Sequence, residues 1–141
     1  MRFLVIVKAT PGSEAGLMPS AERLAAMAAY DESLAKAGVL LGGEGVQPSS
    51  NGARVHFDGE RRSVLPGPFA HPQELVAGFW IFRTESLEAC IEWVRRCPNP
   101  FDSPSDIEIR PLFEAEDFGD SLSPELREQE ARLRAEIAGK A

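Results

Sequence analysis

Hydrophobic positions along this chain fall into blocks that change period. Phe3-Leu4-Val5-Ile6-Val7 is an unbroken apolar run, closed by Lys8 and the turn-rich Thr10-Pro11-Gly12-Ser13. Five apolar residues without alternation predict a strand buried on both faces. From Ser20 to Lys36 the spacing becomes helical. Leu24, Met27, Ala28, Asp31, Leu34 and Ala35 fall on one face, and all but Asp31 are apolar. Ser20 supplies an N-cap and Gly38 a C-terminal stop. Val39 to Val46 reads as a strand interrupted by Gly42-Gly43-Glu44-Gly45. Arg54-Val55-His56-Phe57 and Arg61-Arg62-Ser63-Val64 flank Asp58-Gly59, a hairpin signal.

Leu65-Pro66-Gly67-Pro68-Phe69 cannot continue a central strand, because its two prolines lack a backbone donor. It is a shaped loop. Ala77-Gly78-Phe79-Trp80-Ile81-Phe82 is a further strand without a polar face. Ser86 then caps a helix that runs to about Arg96, with Leu87, Cys90, Ile91 and Val94 as its buried stripe. Cys97-Pro98-Asn99-Pro100 stops it, and Ile107 to Leu112 alternates as a last strand.

The order is strand, helix, hairpin strands, strand, helix, strand. That is close to β-α-β-β-α-β, the split βαβ or ferredoxin-like arrangement of the α+β class. Two helices cover only one face of such a sheet, yet two strands read as buried on both sides. A second copy of the chain is the economical cover, so a homodimer packed sheet against sheet through an isologous interface is expected. The alternative cover is the C-terminal segment folding back.

Residues 1–113 thus form one expected domain, and 114–141 an acidic C-terminal extension. Ser123-Pro124-Glu125 is a helix start, and Leu126, Leu133 and Ile137 give the helix a thin apolar stripe.

Charge and composition narrow the function classes. The chain of 141 residues carries 15 basic and 22 acidic side chains, a net charge of −7. That excess disfavours nucleic acid, whose binders present a basic footprint. Arg61-Arg62 is then a solvated basic step rather than a nucleic-acid site. Hydrophobic residues make up 43%, enough for a packed core. No run approaches the ~18 apolar residues that cross a bilayer, and Phe3–Val7 is short for a signal-peptide core. A cytoplasmic protein without membrane partners is the expectation. Cys90 and Cys97 are seven residues apart in one helical stretch, roughly 10 Å by helical rise. A disulfide needs less than about 7 Å, so both are expected as free thiols. With His56 and His71 and no C-x-x-C spacing, they do not make a zinc site. No metal and no cofactor is expected.

No complete catalytic motif stands out. His71 lies two residues after Phe69 in the shaped loop and has an acid–base pKa range near neutrality. Glu74, three residues on, is placed to orient it. The alternative is an exposed histidine without a task. Glu44 lies among three glycines, which let a ligand or another backbone approach closely. A desolvated carboxylate there suits a general acid; paired with an arginine it is only a strand contact. Asp31, beside Tyr30 and Glu32, either points under its helix or meets solvent. Trp80 and Phe82 share one strand face, and Phe79 and Ile81 the other. Arg110 suits an anion or a surface ion pair. Cys97 ends a helix, where no helix dipole favours a thiolate, and reads as structural.

Several segments, taken in order, resemble the YCII-related, or DGPF-domain, family. They are Met1–Lys8, Ala37-Gly38-Val39-Leu40, Gly43–Pro48, Gly67-Pro68-Phe69-Ala70, Gly78-Phe79-Trp80, Glu92-Trp93 and Ile107–Leu112. The resemblance covers about residues 1–113. It implies a dimeric α+β barrel of ferredoxin-like subunits, with a pocket between sheet and helices near the glycine-proline loop. Glu44, Gly67, Phe69, His71, Trp80 and Arg110 are the expected pocket residues, with His71 and Glu44 as its catalytic candidates. The resemblance implies no settled activity. Some members are encoded beside, or fused to, extracytoplasmic-function sigma factors. A few YciI-like relatives are enzymes, including a dechlorinase, and use a His–Asp pair.

This chain departs from those patterns. The family's Asp-Gly-Pro-Phe becomes Pro66-Gly67-Pro68-Phe69, and proline supplies neither charge nor donor. The His and Asp of the enzyme relatives fall near Met27 and at Cys97, which cannot perform the same proton transfer. Three readings follow. The first is a dimeric protein that binds a small organic molecule, in an accessory or regulatory role. The second is a cofactor-independent acid–base enzyme of isomerase, lyase or dehydrochlorinase type. The third is an interaction partner of a sigma factor. Whether the chain is an enzyme stays open at this point.

Overall fold

A computed structural model describes residues 1–140. The chain opens with β1 (Arg2–Lys8), a one-turn helix α1 (Pro11–Glu14) and the long helix α2 (Ala21–Lys36). Strand β2 (Leu40–Gly45) is followed by the hairpin β3 (Ala53–Asp58) and β4 (Arg61–Pro66). Then come β5 (Val76–Arg83), α3 (Leu87–Arg95), β6 (Ile107–Pro111) and α4 (Pro124–Lys140).

Four strands form an antiparallel sheet in the order β2-β5-β1-β6. Counted within the sheet, that order is 2-3-1-4, the arrangement of ferredoxin-like folds. The fold is therefore α+β, as the element order implied. The hairpin does not join this sheet. It forms a separate two-stranded ribbon, with Val55 opposite Val64 and Phe57 opposite Arg62. The second strand of the sheet is instead the glycine-rich β2. Its admission depends on Gly43, where a Cβ would lie 2.7 Å from the Phe79 carbonyl oxygen and 2.7 Å from the Trp80 ring. A glycine there lets β2 close on β5. Gly59, at φ 58°, makes the hairpin turn.

The core lies between one sheet face and α2 and α3. Phe3 and Val5 of β1, Phe82 of β5, Leu34 of α2 and Cys90 of α3 are completely buried there. On the central strands burial alternates: Phe3, Val5, Val7, Trp80 and Phe82 are buried, while Leu4, Ile6, Phe79 and Ile81 are half-buried. Leu4 sits opposite Ile81, and Ile6 opposite Phe79, so these four side chains share the face turned away from the helices. Within one chain the unbroken apolar runs are thus buried on one side only.

Helix α2 is rotated from its expected stripe. Leu24 is 55% exposed and Ala28 and Ala35 are exposed, whereas Tyr30 and Leu34 are buried and Met27 packs against the core. The cause is Tyr30, whose hydroxyl donates to the Trp93 carbonyl at 2.8 Å. That bond satisfies the phenol and lets its ring enter the core. The Thr10–Ser13 turn tightens into α1 through a reciprocal cap. The Ser13 N–H donates to Thr10 Oγ1 at 3.1 Å, and the Thr10 N–H to Ser13 Oγ at 2.9 Å.

Met1–Pro111 is one compact unit, and the residues from Leu112 on form a second. In the second, Phe113 and Phe118 stack at 5.2 Å, and Ser123 Oγ accepts from the Leu126 N–H to cap α4. Leu126, Leu133 and Ile137 are exposed on α4.

The rotated helix is checked by two substitutions. Leu34→Ala is expected to lower unfolding stability by about 2–5 kcal/mol, and Leu24→Ala by no more than about 0.5 kcal/mol, in urea titrations. Equal losses would restore the stripe read from the sequence.

Candidate functional site

The sheet divides the residues singled out in the sequence. Trp80 faces the helices and is buried. Glu44 pairs with Phe79 and Arg110 with Leu4, so both belong to the opposite face. Glu44 and Arg110 are exposed, and Arg110 lies 3.4 Å from Glu108 on its own strand. The expected pocket of Glu44, Gly67, Phe69, His71, Trp80 and Arg110 is therefore not one site. Strand alternation sends its members to two sides of the sheet.

On the helix side, Trp80 is held by Asp31. Its Nε1–H donates to Asp31 Oδ1 at 3.0 Å. The indole meets Tyr30 edge-on at 5.8 Å and Phe82 at 5.9 Å. Asp31 thus turns under its helix, half-buried, and supplies the partner that a buried indole N–H needs. Cys97, at the end of α3, accepts this neighbourhood's electrostatics. Burial pushes its thiol up from 9.0 to about 12, and the Asp31 carboxylate adds to the shift. Burial also raises Cys90, to about 11, and Tyr30, with Cys97, Cys90 and Asp31 reinforcing the latter. All three groups are protonated near neutrality. Met27 and Cys97 hold no proton-transfer pair. Met27 is packed against the core one turn before Asp31.

On the loop side, a cleft of about 540 Å³ lies at the base of the hairpin. Val46, Pro48, Phe69, Leu75 and Val76 give it apolar walls, and Glu14 and Arg54 are its charged residues. One serine ties together the three segments that frame it. Ser49 donates its N–H to Glu14 Oε2 at 2.9 Å and its hydroxyl to Glu14 Oε1, and Ser49 Oγ accepts the Phe69 N–H at 3.0 Å. Gly67 makes this possible. A Cβ on it would lie 1.7 Å from the Ser49 carbonyl oxygen, so only glycine lets the Pro66–Phe69 loop reach the serine. The Gly67–Pro68 peptide is cis, and the Gly67 N–H donates to the Gly52 carbonyl at 2.9 Å. Pro66 ends β4 opposite Ala53.

Arg54 lies over the Phe69 ring, 3.9 Å from its centroid. It forms no ion pair among the described residues. His71 is exposed beyond Phe69, in the left-handed region at φ 63°. Its link to Glu74 is through the backbone, the Glu74 N–H donating to the His71 carbonyl at 2.9 Å. The expected orienting contact between the two side chains is not formed. Of the expected pocket, Phe69 lines the cleft and Gly67 seats its loop on Ser49; the cleft adds Glu14, Ser49 and Arg54. For Ser49 the sequence carries no distinguishing signal; for Gly67, the flanking prolines hint at a tight approach.

Two outcomes check this geometry. Ser49→Ala removes a hydroxyl bonded on both sides and is expected to cost about 1–3 kcal/mol in urea unfolding. Gly67→Ala is expected to cost more, because its Cβ meets backbone. The reverse order would show that the loop does not seat on Ser49. The thiol shifts set an alkaline dependence. The folded chain holds the Cys97 proton more tightly than the unfolded chain. Stability from this source is complete below about pH 9 and drains away as pH climbs toward about 12. Cys97→Ala should flatten the decline measured between those values, and an unchanged slope would assign it elsewhere.

Comparison with known proteins places this arrangement. A 65-residue segment is 29% identical to an uncharacterised protein of Rhizobium meliloti (strain 1021), covering 46% of this chain and 52% of that protein. The chain thus matches about half the length of this relative. A solved structure, 5-chloro-2-hydroxyhydroquinone dehydrochlorinase (TftG) from Burkholderia phenoliruptrix AC1100 in complex with 2,5-dihydroxybenzoquinone, is similar at a TM-score of 0.46 and 18% identity. That match covers 83% of this chain and 98% of the other. The family model of the YCII-related domain matches residues 1–116. That match spans most of the chain, which therefore belongs to the YCII-related family.

Proposed function

We propose that this protein is a homodimeric small-molecule-binding protein. In it, a second copy covers the open sheet face and the hairpin-base cleft receives a small organic ligand. The cleft carries the reading. Its volume of about 540 Å³ lies within the roughly 300–1,000 Å³ of small-molecule sites. Its frame is fixed by the Glu14–Ser49–Phe69 hydrogen bonds rather than by loose loops. A frame already ordered loses little conformational entropy when a ligand enters.

The dimer rests on Leu4, Ile6, Phe79 and Ile81, an apolar centre left half-buried by one chain. Around it, Glu44 stands on the β2 edge and Arg110 on the β6 edge. Glu108 lies beside Arg110 on the same face. A two-fold axis along the strands brings each β2 edge over the other copy's β6 edge, so the apolar centres of the two copies coincide, as an isologous interface requires.

The acid–base reading assigns proton transfer to His71 or to Glu44, which the structure sets apart, His71 exposed in the loop and Glu44 on the β2 edge. No hydrogen bond or ion pair joins them among the described residues, and Glu44 belongs to the face assigned to the second copy. The binding reading is therefore preferred over the enzyme.

Native mass spectrometry of the full chain at micromolar concentration is expected to show the dimer. Phe79→Arg, on the open face, is expected to give a folded monomer with unchanged far-ultraviolet circular dichroism. A monomeric wild-type chain, or a dimer indifferent to Phe79→Arg, would remove the second copy from that face.

A further inference from the structure

Resting on the reading of the cleft as a ligand site, we infer that its ligand is a small organic carboxylate. The carboxylate is held by Arg54, and the apolar body lies against Val46, Leu75 and Val76. Four observations lead there. Arg54 is the cationic residue of the lining, and it has no ionic partner among the described residues. The acid of the same lining, Glu14, accepts from Ser49 on both carboxylate oxygens and forms no ion pair with Arg54 among the described residues. The guanidinium lies on Phe69 at 3.9 Å, and Phe69 is itself anchored through its N–H to Ser49. Finally, the walls beside it are apolar on two separate segments, at Val46 and Pro48 and at Leu75-Val76.

The physical consequence is a prepared cation. A guanidinium stacked on an aromatic ring keeps its edge donors free while its face is covered, and the stack contributes about 0.5–1 kcal/mol at an exposed site. The planar fork matches a carboxylate with two parallel hydrogen bonds. Because the ring holds the fork in place, little side-chain freedom remains to be lost on binding. The apolar walls give the organic part of the ligand somewhere to leave water, which a bare inorganic anion cannot use. The chain's net charge of −7 opposes anions in general, so selection falls on this one site and weakens as salt screens the pair.

The test is an amide-resolved NMR titration of the full chain with three probes: benzoate, its neutral analogue benzamide, and inorganic phosphate. Benzoate is expected to shift the Ser49 and Phe69 amides in a saturable way, with benzamide and phosphate each at least about tenfold weaker. Arg54→Gln should weaken benzoate at least about tenfold and leave benzamide unchanged, with amides outside the cleft undisturbed. Equal binding of benzoate and benzamide, or indifference of benzoate to Arg54→Gln, overturns the carboxylate class while the cleft stands as a ligand site. Phosphate binding as tightly as benzoate overturns the organic part. If no probe perturbs the cleft amides, the ligand reading of the cleft falls and this inference with it.

Discussion

A four-stranded sheet with two helices has one face too many. The helices α2 and α3 close over Phe3, Val5 and Phe82, which disappear from solvent completely. The other face keeps Leu4, Ile6, Phe79 and Ile81 half-buried. Most of the molecule can be understood as a response to this imbalance. On the covered side every polar group is satisfied internally: Tyr30 on the Trp93 carbonyl, Trp80 on Asp31. That satisfaction locks α2 against α3 and β5 and commits the covered side to packing. The cleft lies instead at the edge of the sheet, walled by the connections between strands.

There the organising device is one serine. Ser49 joins α1 through Glu14 and the β4–β5 connection through Phe69. Neither a single hydrogen bond nor a single apolar contact would hold segments so far apart in sequence. The three bonds share one residue, so their geometry is correlated, and the Phe69 ring on which Arg54 rests inherits that order. Cleft and cation are thus products of the same backbone approach at Gly67.

Much of this architecture was legible in the sequence, for identifiable reasons. Unbroken apolar runs at Phe3–Val7 and Ala77–Phe82 marked the central strands, and capping serines marked the starts of α2 and α3. The position of the hairpin was also clear. Its separation from the sheet was not, because strand propensity says nothing about which edge a strand joins. That choice was made by Gly43, whose value lies in an approach visible only in three dimensions. The rotation of α2 escaped for a related reason: Tyr30, left off the predicted stripe, enters the core once the Trp93 carbonyl meets its hydroxyl. At the candidate site, Gly67 and Phe69 were recognisable, whereas Trp80, Glu44 and Arg110 were grouped with them although strand alternation sets them on opposite faces. Glu14, Ser49 and Arg54 carried no local signature, since their roles depend on partners well away in sequence, Ser49 and Glu14 being 35 residues apart and Phe69 and Ser49 20.

The ribbon of β3 and β4 has two free edges. Along each, backbone donors and acceptors lie open, and Val55, Phe57 and Val64 are well exposed on one of its faces. Such a ribbon is a template for adding strands from other molecules. What guards it is Pro66 at one end and Asp58, Glu60, Arg61 and Arg62 around the tip, together with the mutual repulsion of chains at −7. The colloidal behaviour of the protein accordingly depends on charge more than on packing. Salt, which screens the charge, and acidification toward the isoelectric point near 4.9, which lowers it, are the conditions that favour ribbons from neighbouring molecules meeting.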